Sequence, residues 1–130
     1  MISYSIFIVD DEESIRDSVT MSLEDAYRVA AFANAESALS AIDVAPPDLV
    51  LLDMIMPDMG GGEVYDRMKD INRNVKAILA TGYSLDGEAS RILKKGCDGV
   101  IQKPYSIDRL SRVIYRVLKR AGAAKEKIAN

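Results

Sequence analysis

The chain has 130 residues, enough for one domain with a substantial core and too few for two ordinary ones, and its 48% apolar and 28% charged residues are a globular balance. A net charge of −3 without any block of Lys and Arg argues against a surface for phosphate backbones. Histidine is absent, which excludes Ser-His-Asp and Cys-His nucleophiles and His-containing zinc sites, and the lone Cys97 excludes an internal disulfide.

Met1-Ile2-Ser3-Tyr4 has neither a basic n-region nor a long apolar h-region, and no run approaches the length that crosses a bilayer. A soluble cytoplasmic protein is expected, with Cys97 reduced and acting as a small buried or half-buried apolar residue. Ser5-Ile6-Phe7-Ile8-Val9 is the near-continuous apolar run of a strand buried on both faces, and it ends in Asp10-Asp11. Ile15, Val19 and Leu23 then recur at four-residue steps and predict a helix whose first turn Glu12 and Glu13 favour. A short strand is expected from Tyr27 to Ala33, followed by a helix that Asn34 can cap and that carries Ala38, Leu39 and Ile42.

Leu49-Val50-Leu51-Leu52 predicts the next buried strand, ending in Asp53; Met54, Met56 and Met59 beyond it read as loop packing. Val64, Met68 and Ile71 mark a third helix. Val75 to Ala80 predicts a strand ending in Thr81, Ala89, Ile92 and Leu93 a short helix, and Gly99 to Gln102 a strand ending in Lys103-Pro104. After Ser106 as a cap, Leu110, Val113, Ile114, Val117 and Leu118 form the clearest amphipathic pattern in the chain. Ala121 to Asn130 is small, polar and charged, so the domain is expected over 1–120, with 121–130 a helix end or the start of a linker.

Five βα units predict an α/β fold with a mostly parallel sheet and helices on both faces. Ligands of such open sheets bind outside the carboxyl ends of the strands, where Asp10, Asp11, Asp53, Thr81 and Lys103 fall. Three converging carboxylates repel one another unless a cation joins them or their pKa values rise. Mg²⁺ prefers oxygen ligands and takes one or two carboxylates with several waters, which suits Asp11 and Asp53. Taken singly, the Asp-Asp pair reads first as a helix cap and Thr81 as a helix cap or turn residue, whereas Lys103, an amine directly before a proline at a strand end, is poorly placed to be an idle surface lysine; their common register is what makes a pocket.

Together, Val9-Asp10-Asp11-Glu12, Leu52-Asp53-Met54-Ile55-Met56-Pro57, Ala80-Thr81-Gly82 and Lys103-Pro104 resemble the receiver domain of bacterial two-component response regulators over roughly the whole chain. Thr81-Gly82-Tyr83-Ser84 and the segment from Gly96 to Tyr105 look like receivers attached to hybrid sensor kinases. The resemblance implies a flavodoxin-like, doubly wound sheet of five parallel strands in the order 2-1-3-4-5. It implies phosphoryl transfer from a phosphohistidine, carried by a partner histidine kinase or phosphotransfer protein, to the carboxylate of Asp53. Mg²⁺ would be held directly by Asp11, Asp53 and the backbone carbonyl of Ile55, and through water by Asp10. Lys103 would offset charge on the transferring group, Thr81 would donate to a phosphoryl oxygen, and the bond between Lys103 and Pro104 would be cis. Such a protein catalyses its own phosphotransfer and dephosphorylation but is primarily a signalling switch. It has no direct nucleic-acid or membrane partner, and without an output domain it is free-standing or excised from a longer protein.

This sequence departs from the family's pattern at Val100, three residues before the lysine, where receivers usually carry Tyr or Phe. A valine is short and stiff at χ1, so the usual inward aromatic rotation is not expected. Thr81 can still draw its loop inward and alter the surface from Asp86 to Tyr105, with Tyr83 and Tyr105 read chiefly as packing anchors. Ile55 and Tyr83, two residues after Asp53 and Thr81, are poorly suited to orient an attacking water, so slow self-dephosphorylation is expected. Two other readings stand beside the switch. One is a receiver-like scaffold that signals without phosphate; the other is a Mg²⁺-dependent aspartyl phosphatase, which normally wants a second aspartate where Ile55 stands.

Overall fold

Among the described residues, strands and helices alternate along the chain: β1 (Ser5–Val9), α1 (Glu13–Leu23), β2 (Arg28–Phe32), α2 (Ala35–Val44), β3 (Leu49–Asp53), α3 (Gly61–Ile71), β4 (Lys76–Thr81), α4 (Gly87–Lys94), β5 (Gly99–Gln102) and α5 (Ile107–Ala129). The structure is a computed structural model that describes residues 3–82 and 87–129, with side chains as far as residue 119. All five strands are parallel and lie in one sheet in the order β2-β1-β3-β4-β5, the doubly wound arrangement expected.

The apolar runs become strands because both of their faces have a layer to fill. Alternate side chains of a strand point to opposite sides of the sheet. Ile6, Ile8, Leu49, Leu51, Ile78 and Ile101 meet Val19 and Leu23 of α1 and Leu110, Ile114, Val117 and Leu118 of α5. Phe7, Val9, Val50, Leu52, Ala77 and Leu79 meet Ala38, Leu39 and Ile42 of α2, Val64 and Met68 of α3, and Ile92 of α4. Each side chain of this kind removed from water contributes about 1.5–3 kcal/mol, so the two layers fix the sheet and thereby the strand ends.

Helix starts follow the caps expected. Asn34 accepts from the Ser37 N–H at 2.9 Å, and the Ser106 hydroxyl accepts from the Arg109 N–H at 3.1 Å. Gly96, just past α4, has φ +101°, a left-handed conformation that stops a helix with little strain only for glycine. Three strands differ from expectation by one residue at one or both ends, and β2 spans Arg28–Phe32 against the expected Tyr27 to Ala33. β3 includes Asp53, and β4 runs from Lys76 to Thr81, because the ladders continue through Asp53↔Ala80 and Thr81↔Gln102. Ile71, the last member of the expected α3 stripe, is 38% exposed at the helix end. No helix among the described residues is long and apolar enough to cross a membrane.

Candidate functional site

β1 and β3 are neighbours with Val9 paired to Leu52, so the residues that follow, Asp10 and Asp53, emerge side by side. With Asp11 they bring three carboxylate oxygens within 4.8 Å of one another, a cluster able to hold a metal ion. Asp10 and Asp53 are 3% and 6% exposed, while Asp11 faces solvent. Lys103 enters from the end of β5. Its Nζ donates to Asp10 Oδ2 at 2.9 Å and lies 3.2 Å from Asp53 Oδ2, with Glu12 Oε1 4.0 Å away at the rim.

Backbone groups hold the acids in place. The Glu12 N–H donates to Asp10 Oδ1 at 2.9 Å, the Arg16 guanidinium donates to the Asp10 carbonyl at 2.9 Å, and the Ile55 N–H donates to Asp53 Oδ1 at 3.2 Å. Thr81 ends β4 as a buried residue, and its carbonyl accepts from the Lys103 N–H at 2.7 Å just before the cis Lys103–Pro104 bond. Asp10, Asp11, Asp53 and Lys103 therefore converge, and Thr81 adjoins Lys103 through its backbone. Ile55 joins them through its backbone N–H, and the residue is 61% exposed.

Burial pushes the Asp53 carboxyl above its usual range, against the lowering effects of the Ile55 N–H and of Lys103, and the neighbouring Asp10 charge adds to the rise. Burial works against the Lys103 ammonium, yet hydrogen bonds and charges from Asp10 and Asp53 outweigh it and raise that pKa. The two directions agree physically. One ammonium serves two buried carboxylates, so it is over-stabilised while Asp53 is under-compensated. A hard, all-oxygen donor set with surplus negative charge suits a divalent cation.

Val100 is half-buried against the layer formed by α2, α3 and α4, and Tyr105 packs against the opposite layer. The Tyr105 hydroxyl is buried with no hydrogen-bond partner among the described residues, and burial followed by the charge of Asp10 pushes its pKa up to about 12. Tyr83, Ser84 and Asp86 lie outside the described residues. One residue that the sequence did not single out also bears on the site. Asp58, from the loop after Asp53, accepts hydrogen bonds from the first N–H groups of α2, and no local periodicity announces a contact between loops so far apart in sequence.

An acid cluster with an opposed lysine thus stands at the carboxyl ends of a doubly wound parallel sheet, as the resemblance to receiver domains implies. The chain belongs to the response regulator receiver domain family, whose model matches residues 6–115. Sporulation initiation phosphotransferase F of Bacillus subtilis is 34% identical over 122 residues, an alignment covering 91% of this chain and 96% of that protein. The sensory transduction protein RegX3 of Mycobacterium tuberculosis is 33% identical over 121 residues, covering 91% of this chain and 52% of RegX3. The chain thus spans about half the length of RegX3, as it does of response regulator Rre1 from Synechocystis, of which 54% is covered. Among solved structures, a CheY-like receiver domain protein from Methanospirillum hungatei matches with a TM-score of 0.83 at 31% identity, covering 94% of this chain and 99% of that one. NtrX from Brucella abortus matches with a TM-score of 0.89 at 29% identity, covering 98% of this chain and 29% of NtrX.

Proposed function

We propose that this receiver is a phosphorylation-dependent signalling switch whose Asp53 accepts a phosphoryl group from the phosphohistidine of a partner histidine kinase or phosphotransfer protein. The observation that carries the reading is the convergence of Asp53 with Asp10, Asp11 and the Lys103 ammonium. An Asp53 oxygen attacks phosphorus, the phosphorus–nitrogen bond to the donor imidazole breaks, and an acyl phosphate is left on Asp53. Asp11, Asp53 and the Ile55 carbonyl would hold Mg²⁺ directly and Asp10 through water, and the ion would supply charge neutralisation for the transferring group. Lys103 provides the second positive charge, and the Thr81 hydroxyl donates to a phosphoryl oxygen once it has arrived. Residues 1–120 form the functional unit in this reading, 121–130 continue as a helix end or linker, and the location is cytoplasmic.

Intact mass after incubation with a small phosphodonor and Mg²⁺ tests it. A phosphoryl mass gain in the native protein and none in Asp53→Asn is expected. No gain in either would favour the scaffold reading, to which Val100 in place of an aromatic ring lends support. The phosphatase reading is disfavoured because Ile55 stands where a second aspartate is needed.

A further inference from the structure

We propose that Asp58 is a positioning residue for the pocket: it ties the loop after Asp53 to the start of α2 and so fixes the Ile55 backbone against Asp53 and the metal. The inference rests on the reading of the pocket given under Proposed function. Asp58 lies five residues beyond Asp53, in the loop over 54–60. Its Oδ1 and Oδ2 accept from the Ala35 N–H at 3.2 and 3.1 Å, and Oδ2 accepts from the Glu36 N–H at 3.3 Å.

The first three N–H groups of α2 are held by two residues from different parts of the chain. Four N–H groups at a helix start have no partner within the helix. Those of Ala35 and Glu36 go to Asp58, that of Ser37 goes to the Asn34 side chain at 2.9 Å, and that of Ala38 reaches the Asn34 carbonyl at 3.4 Å. Asn34 alone would give an ordinary cap. Asp58 adds a tether between α2 and the loop that carries Ile55.

At Ile55 itself the loop is anchored by the N–H that donates to Asp53 Oδ1 at 3.2 Å. The Met54 N–H donates to the Ala80 carbonyl at 3.0 Å and the Gly61 N–H donates to the Met54 carbonyl at 3.0 Å, which pin its two ends. Met56 and Met59 are buried, but a methionine fills space through several rotatable bonds without fixing direction. Beside the bond from Ile55 to Asp53, the charged fork of Asp58 on two backbone amides is a directional restraint farther along the loop. Hydrogen bonds of this outer kind orient the groups that bind metal.

Four proteins separate this role from simple helix capping: native, Asp58→Ala, Asp58→Asn and Asn34→Ala. The readouts are Mn²⁺ affinity from the electron paramagnetic resonance of free ion, the exchange rate of the Ile55 amide hydrogen, the thermal midpoint, and the rate of phosphorylation by acetyl phosphate. Asp58→Ala is expected to weaken Mn²⁺ binding by about ten-fold, to speed Ile55 exchange and to slow phosphorylation. Asn34→Ala is expected to lower the thermal midpoint as much while leaving the other three readouts native. Asp58→Asn keeps an acceptor without the charge and is expected to stay near native in Ile55 exchange. Equal effects of Asp58→Ala and Asn34→Ala on ion affinity and exchange would overturn the proposal. So would an Asp58→Asn protein as impaired as Asp58→Ala, which would reduce the effect to charge. A native protein that takes no phosphoryl group would defeat the switch reading, whereas the tether itself is judged by Ile55 exchange, and unchanged exchange in Asp58→Ala would defeat it.

Discussion

Lys103 and Asp10, 93 positions apart in the chain, are joined by a 2.9 Å hydrogen bond in which a largely buried ammonium donates to a buried carboxylate. The same ammonium lies 3.2 Å from Asp53, so it is the built-in counter-charge of the pocket.

Replacing it exposes what it balances. Breaking a buried pair by removing one partner costs about 3–5 kcal/mol, and the lower end applies here because the Lys103 side chain is 19% exposed and water can enter. Lys103→Ala is expected to melt well below the native protein in chelator and to regain more of its thermal midpoint on adding Mg²⁺ than the native protein does. Thermal scans with and without the ion check this. Equal gains in the two proteins would show that the carboxylates do not depend on Lys103 for compensation.

Ile55 is expected to limit access of water to the phosphorylated pocket. The residue is exposed, and its apolar side chain offers no group to orient an attacking water. The acyl phosphate is expected to decay slowly in purified protein, and Ile55→Asn is expected to hasten the loss. Decay followed by intact mass after removal of phosphodonor measures both rates; an unaltered rate in Ile55→Asn would assign the lifetime elsewhere.

Gly61 and Gly62 separate a backbone constraint from a side-chain one. A Cβ at Gly61 would sit 2.8 Å from Met54 Cα and 3.0 Å from the Met54 carbonyl oxygen, so the loop after Asp53 must shift. At Gly62 it would meet the ends of the Glu88 and Arg91 side chains, which can swing aside. Gly61→Ala is expected to cost about 1–3 kcal/mol and to impair phosphorylation. Gly62→Ala is expected to be near neutral, because about 1 kcal/mol of helix propensity offsets the displaced side chains. Urea denaturation of both proteins ranks them.

Cys97 supplies a pH dependence. Burial pushes its thiol above the usual value. The unfolded thiol ionises near its ordinary pKa of about 8.5, so the stabilising contribution is complete below that pH. It is lost as pH rises through the higher pKa of the folded state. Stability is expected to decline across this alkaline window, and Cys97→Ala to decline less. Alkylation by iodoacetamide at neutral pH should be slow in the folded protein and fast in urea, and comparable rates would show an open thiol.

Much of this architecture could be read from residue order. Continuous apolar runs named the strands because a sheet covered on both faces leaves no position for alternation, and the reactive residues after Val9, Leu52, Ala80 and Gln102 marked one edge of it. The rest depends on contacts between distant segments. That β3 reaches Asp53 follows from its pairing with Ala80. Asp58 serves a helix that begins 23 residues before it, and Lys69 donates to the Val75 carbonyl at 2.6 Å beyond its own helix. Neither pairing follows a helical or strand period, so periodicity could not disclose them.

The strand order gives the pocket two halves of unequal stiffness. Its anions grow from adjoining interior strands, each flanked on both sides by hydrogen-bonded neighbours, whereas its cation rises from the outermost strand on a four-carbon arm. When negative charge extends outward from Asp53, bond rotations along that arm suffice for the cation to follow it. The frame itself can stand still.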